Sequence, residues 1–136
     1  MQKLNLEDRI ALTRAVVELL DSWGVGAAEA IALLALPAGT RPGAMRQFRQ
    51  STPFPESEQL MERIEHLIGI SDALRTSYPH NAHMGNIWMH KANHRFDNRA
   101  PLAAMIEDGM SGIVAVRTHL DCAYDWHISG SGVKPE

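Results

Sequence analysis

Apolar residues in this chain recur every third or fourth position and nowhere alternate with a period of two over the length of a strand. Only α-helix matches that spacing, so the sequence predicts an all-α fold. Glycines and prolines cut the pattern into segments. From Asp8, the residues Leu12, Ala15, Val16, Leu19, Leu20 and Trp23 share a face, and Gly24 follows as a left-handed C-cap. A second helix starts after Gly26, runs through Ala27, Ala28, Ile31 and Leu34, and stops before Pro37, which has no N–H to continue it. Residues 37–40 form a turn. Thr40 is placed to cap a short third helix with Ala44, Met45 and Phe48 inward and Arg46, Gln47, Arg49 and Gln50 outward. Two short helices joined by a glycine-containing turn have the outline of a helix-turn-helix.

Two prolines make residues 52–55 a corner. Pro55, Glu56 and Glu58 suit the start of a long helix, where acidic side chains meet the positive end of the dipole. Leu60, Ile64, Leu67, Leu74 and Tyr78 repeat along one face until Pro79 ends it. Asn81 is placed to cap a helix carrying Met84, Ile87 and Trp88. A polar turn follows at 91–99, where Asp97 and Asn98 tolerate left-handed backbone. Pro101 opens a helix through Leu102, Met105 and Ile106 that Gly109 closes, and Ile113, Val116, Leu120 and Ala123 line a last helix reaching about Trp126. The expected organisation is a helix-turn-helix-like bundle over 1–55, a connecting helix over 56–80, a three-helix part over 81–128 and a flexible tail over 129–136.

At 136 residues the chain has room for one domain or two small helical subdomains. With 45% hydrophobic and 21% charged residues it has enough apolar surface to fold. The net charge of −3 excludes a uniformly basic nucleic-acid coat but hides an asymmetry. Residues 1–55 carry six Lys/Arg against five Asp/Glu, and residues 56–136 seven against eleven. The single cysteine, Cys122, allows no internal disulfide and no four-cysteine zinc site. With no signal-peptide pattern and no apolar run near the ~18 residues of a membrane span, the expectation is a soluble, cytoplasmic protein.

No acidic residue occurs between Ala30 and Pro55, whereas Arg41, Arg46 and Arg49 do. Thr40, Arg41, Arg46, Gln47, Arg49 and Gln50 are therefore the candidate DNA-binding residues, since arginine reads guanine and glutamine reads adenine in the major groove. The competing reading is a plain helical corner packed on the first helix. His80, His83, His90 and His94 have spacings that could pair them on a helix face, but no carboxylate or cysteine completes a ligand set, and they read as solvated histidines. No phosphate loop, nucleophile elbow or Cys/His pair in a recognisable setting is present, so neither an enzyme class nor a cofactor is implied. Cys122 reads as a small residue at a packing margin, and Glu62, Glu65 and Asp72 as a solvated face. Around the 91–99 turn, Lys91, His94, Arg95 and Arg99 flank Phe96. They form either a docking edge for an acidic partner or a solvated loop anchored by the ring. Tyr124, Trp126 and His127 sit near the chain end, where large aromatics are natural interface anchors.

The run IWMHKANHRFDNRAPLAAMIEDGMSGIVAVRTHLDCAYDW, residues 87–126, resembles the toxin-binding domain of the Xre/MbcA/ParS-type antitoxins. That pattern has a Trp-containing helix, a turn ending in Phe-Gly-Gly, a Pro-Leu helix start, a Gly after a Leu/Met-rich helix and a closing Val/Leu-rich helix. Trp88, Phe96, Pro101, Leu102, Met105, Gly109, Val114 and Leu120 match it. Residues 10–80, including TPFP and MERIEHLIGISDALRTSYP, resemble the helix-turn-helix part of the same proteins. The chain departs from the pattern at Asp97 and Asn98, which replace the Gly-Gly, and at Ala100, which replaces a Ser/Thr. The resemblance implies a non-catalytic antitoxin that occludes the active site of an NAD-consuming RES-domain toxin. On that reading, Lys91, His94, Arg95, Arg99, Tyr124, Trp126 and His127 form the toxin-binding set. It also implies operator binding, autoregulation, and assembly as a homodimer or a larger complex with the toxin. A stand-alone helix-turn-helix regulator or adaptor without a toxin is the alternative.

Overall fold

The computed structural model describes the backbone of residues 4–128 and the side chains of residues 4–122. Among them are seven helices and no strand: α1 (Leu6–Ser22), α2 (Ala27–Leu34), α3 (Ala44–Gln50), α4 (Glu58–Ser77), α5 (Ala82–His90), α6 (Pro101–Asp108) and α7 (Met110–Ile128), with a 3-10 turn at His94–Phe96. None is long and apolar enough to cross a membrane. The chain divides into two compact units after Ile64, inside α4.

In the first unit, α1 begins two residues before Asp8, because the Asn5 side chain accepts a hydrogen bond from the Asp8 N–H at 2.8 Å. Gly24 takes the left-handed conformation (φ 74°), and Ala35, also left-handed (φ 53°), caps the C-terminal end of α2. The inward stripe of α1 is Thr13, Val16, Val17 and Leu20, with Leu12 and Leu19 half-buried and Ala15 exposed. Thr13 earns its inner place through its hydroxyl. It donates to the Arg9 carbonyl and accepts from the Phe54 N–H, each at 2.8 Å, which fixes the 52–55 corner to α1. The Phe54 ring then meets Phe48 of α3 edge-on at 4.9 Å. The long helix starts at Glu58 and not at Pro55, because the Ser57 hydroxyl accepts from the Leu60 N–H at 3.3 Å and supplies the cap.

In the second unit, α6 and α7 are the most intimately packed pair. Gly109 joins them at φ 67° and ψ −137°, a conformation closed to residues with a Cβ. One turn on, a Cβ on Gly112 would lie 2.3 Å from the Ala104 carbonyl oxygen, so the two backbones touch. Leu102, Met105, Ile113, Val116 and Leu120 are buried, as their helical spacing predicts, and Phe96 of the 3-10 turn is buried beside them as an anchor of the loop. On α5 the inner positions are Gly85 and Met89, whereas Met84 and Ile87 point outward, each 44% exposed. At Gly85 the backbone comes close to α4, since a Cβ there would be in van der Waals contact with Leu74 and Tyr78.

Candidate functional site

The sequence nominates two candidate surfaces, one in each unit. On α3, Met45 and Phe48 are buried, and Arg46, Gln47 and Gln50 are exposed, as is Arg41 before the helix. Thr40 does not cap α3. Its hydroxyl donates back to the Pro37 carbonyl at 2.7 Å, and Gly43 occupies the cap position after a tight turn through Arg41 and Pro42. The connection between α2 and α3 is thus residues 35–43, longer than the roughly three- to four-residue turn of a compact helix-turn-helix. Arg49 reaches Asp21 of α1 in a two-pronged pair, Nε to Oδ2 at 3.0 Å and Nη2 to Oδ1 at 2.8 Å. Hydrogen bonding from Arg49 holds the Asp21 carboxyl below its usual range. No local pattern could have revealed this pair, since the partners are 28 positions apart. Arg41 and Arg46 have no carboxylate within ion-pair reach among the described residues, so their charges face solvent.

The 91–99 turn is closed on itself. The Asn93 N–H donates to the Arg99 carbonyl at 3.0 Å, and the Phe96 and Asn98 N–H groups both donate to the Asn93 carbonyl, at 3.0 and 3.1 Å. Closing so tight a loop requires left-handed backbone twice in succession, and Asp97 (φ 59°) and Asn98 (φ 61°) supply it. Ala100 makes no side-chain cap for α6, whose first turn instead begins with Pro101.

Within the residues that the family resemblance assigns to partner binding, the turn separates the cations. Arg99 lies along the loop, with Nε donating to the Phe96 carbonyl at 3.0 Å and its two Nη atoms donating to Asp108 at 3.0 and 2.8 Å. That pairing holds the Asp108 carboxyl below its ordinary range. Lys91, His94 and Arg95 are exposed on the outside of the turn. The side chains of Tyr124, Trp126 and His127, on the last turns of α7, lie outside the described residues, as does the 129–136 tail.

Beneath the turn is a three-ring cluster. Trp88 stacks on His119 with parallel planes, centroids 5.8 Å apart, and Phe96 meets both edge-on at 6.3 and 5.8 Å. His119 gave no sign of this in the sequence, because its partners lie on other elements. Partial burial, and then the nearby charge of Arg95, push its imidazole below the ordinary value of 6.5. The folded protein therefore favours neutral His119. The stability this contributes is present above about pH 6.5, where the unfolded chain begins to take up the proton, and is lost as the pH falls below that toward the lowered folded value. In melts at pH 7.5 and 5.5, His119→Phe, which keeps a ring in the cluster, should lose less melting temperature on acidification than wild type. Equal losses would refute the assignment.

Elsewhere in the second unit, Arg117 of α7 lies over Gly69 of α4, 3.1 Å from His66 Nδ1 and 3.7 Å from Asp121. Cys122 is exposed. No group of three or more His, Cys, Asp or Glu side chains able to hold a metal ion occurs among the described residues. The chain matches no protein-family model, and comparison with curated proteins finds no significant relative.

Proposed function

We propose that this chain is an antitoxin of the Xre/MbcA/ParS type, which sequesters a RES-type NAD-consuming toxin through its second unit and binds operator DNA through α3. The observation that carries the reading is the backbone after Phe96. Where the antitoxin pattern has Gly-Gly, this chain has Asp97 and Asn98, and both adopt positive φ. A left-handed pair of non-glycine residues is uncommon, and its position where the antitoxin pattern has two glycines, the residues that reach such backbone most readily, supports the reading. Pro101 at the start of α6 and Gly109 at its end support the same reading.

The proposed mechanism is steric occlusion. Lys91, His94 and Arg95 dock on the toxin, and the end of α7, with Tyr124, Trp126 and His127, blocks its active-site entrance. Arg99 works from within, bracing the turn. At operator DNA, Arg41 and Arg46 meet phosphates or guanine while Gln47 and Gln50 read bases; Arg49 orients α3. The test is an NADase assay on the product of the adjacent reading frame. A stoichiometric amount of this chain should reduce NAD turnover to background, and undiminished turnover at saturating chain would overturn the proposal.

The exposed side chains of Arg41, Arg46, Gln47 and Gln50, in a segment without acidic residues, favour a second reading that needs no toxin, a stand-alone DNA-binding regulator. Under either reading Arg46→Ala with Gln47→Ala should weaken operator binding and lower the slope of log affinity against log salt by about one. Absence of any operator shift by the wild type, alone or with the toxin, would exclude DNA contact.

A further inference from the structure

The outward face of α5 has a chemistry of its own. Met84 and Ile87, one turn apart, are each 44% exposed, half-buried Trp88 lies beside them, and Lys91 continues the same stripe at the end of the helix. From Ala73 to Phe96 the sequence contains no acidic residue, although the chain as a whole carries a net charge of −3. Neither Lys91 nor Arg95 has a carboxylate within ion-pair reach among the described residues, while Arg99, the next cation, is already neutralised by Asp108 and Glu107. An apolar stripe that runs into uncompensated positive charge is complementary to a surface with the opposite rim.

We propose that α5 docks an acidic amphipathic helix of a partner protein, with Met84 and Ile87 seated among its apolar side chains and Lys91 and Arg95 paired with its carboxylates. The proposal rests on the second unit being the part that grips a partner, and it adds an apolar anchor and the chemistry of the element gripped. Nucleic acid fits the cations but offers no apolar match to Met84 and Ile87. A second copy of this chain would present the same cations to themselves.

The test uses the full chain, isotope-labelled for NMR, and two synthetic helical peptides with leucine at i, i+3, i+4 and i+7. One has glutamate at its flanking positions and the other lysine. The acidic peptide should shift resonances of Met84, Ile87, Lys91 and Arg95, with binding weakened about tenfold by Ile87→Asp and by Lys91→Glu with Arg95→Glu. Circular dichroism melts matching wild type would show that these surface variants fold. Equal binding of the lysine peptide, no binding of the acidic one, or occupation of these residues by duplex DNA or by a second copy overturns the proposal. The adjacent-frame product separates the two ideas. If it binds Ile87→Asp as tightly as wild type, docking on α5 fails and the antitoxin reading stands. If it does not bind at all while the acidic peptide does, the antitoxin reading fails and the docking surface stands.

Discussion

Gly112→Ala is expected to destabilise the second unit by about 3 kcal/mol, against the direction that helix propensity alone would give. Alanine in a helix interior normally stabilises by roughly 0.5–1 kcal/mol over glycine. At position 112, however, the added methyl would stand 2.3 Å from the Ala104 carbonyl oxygen and 2.9 Å from its carbon, and backbone cannot swing aside. Relief requires α6 and α7 to separate, which opens gaps around Met105, Ile113 and Val116, all fully buried. Gly69→Ala is the control. The three atoms nearest its new methyl would all belong to the guanidinium of Arg117, the far end of a flexible side chain. Denaturant titrations of the two variants should therefore diverge, with Gly69→Ala close to wild type and Gly112→Ala shifted to a much lower midpoint. A Gly112→Ala midpoint at or above that of wild type would refute the close backbone approach.

Helix boundaries were legible because they are set by local backbone chemistry. Gly24, Pro37, Pro79, Pro101 and Gly109 each act where they stand, through a missing N–H, a fixed φ or access to left-handed backbone. The α4 start was misplaced because two cap signals compete within three residues, and the Ser57 hydroxyl outranks Pro55. The facing of short helices was less legible. Met84 and Ile87 look like core residues by type, yet Gly85 takes the inward place beside Leu74 and Tyr78 and they face out. Least legible were the pairings between elements. Asp21 with Arg49, Arg99 with Asp108 and Trp88 with His119 leave no periodic trace, yet they decide which candidate residues remain open to a partner. Residue type and spacing thus nominate two candidate surfaces, and long-range pairing separates the exposed Arg41, Arg46, Gln47 and Gln50 from the ion-paired Arg49, and Lys91, His94 and Arg95 from the ion-paired Arg99.

Phe96→Ala should cost about 3–5 kcal/mol and release the basic turn from the helices beneath it. The ring is only 7% exposed and is the edge-on neighbour of both Trp88 and His119, so its loss leaves a void under their stack. The same residue's carbonyl accepts from the Arg99 N–H and from Arg99 Nε, which means that any shift of Phe96 also loosens the guanidinium that ties the turn to Asp108. Phe96→Leu keeps most of the apolar contact and should cost less than about 1.5 kcal/mol. Hydrogen exchange reads the difference locally. In Phe96→Ala the Asn93, Asn98 and Arg99 amides, all held by the closed turn, should exchange far faster than in wild type. The Phe54 amide, held by the buried Thr13 hydroxyl in the first unit, should keep its protection. Because Lys91 and Arg95 flank that turn, binding of an acidic partner should weaken in Phe96→Ala and persist in Phe96→Leu. Unchanged protection of the three turn amides in Phe96→Ala would show that their hydrogen bonds hold the loop without the ring.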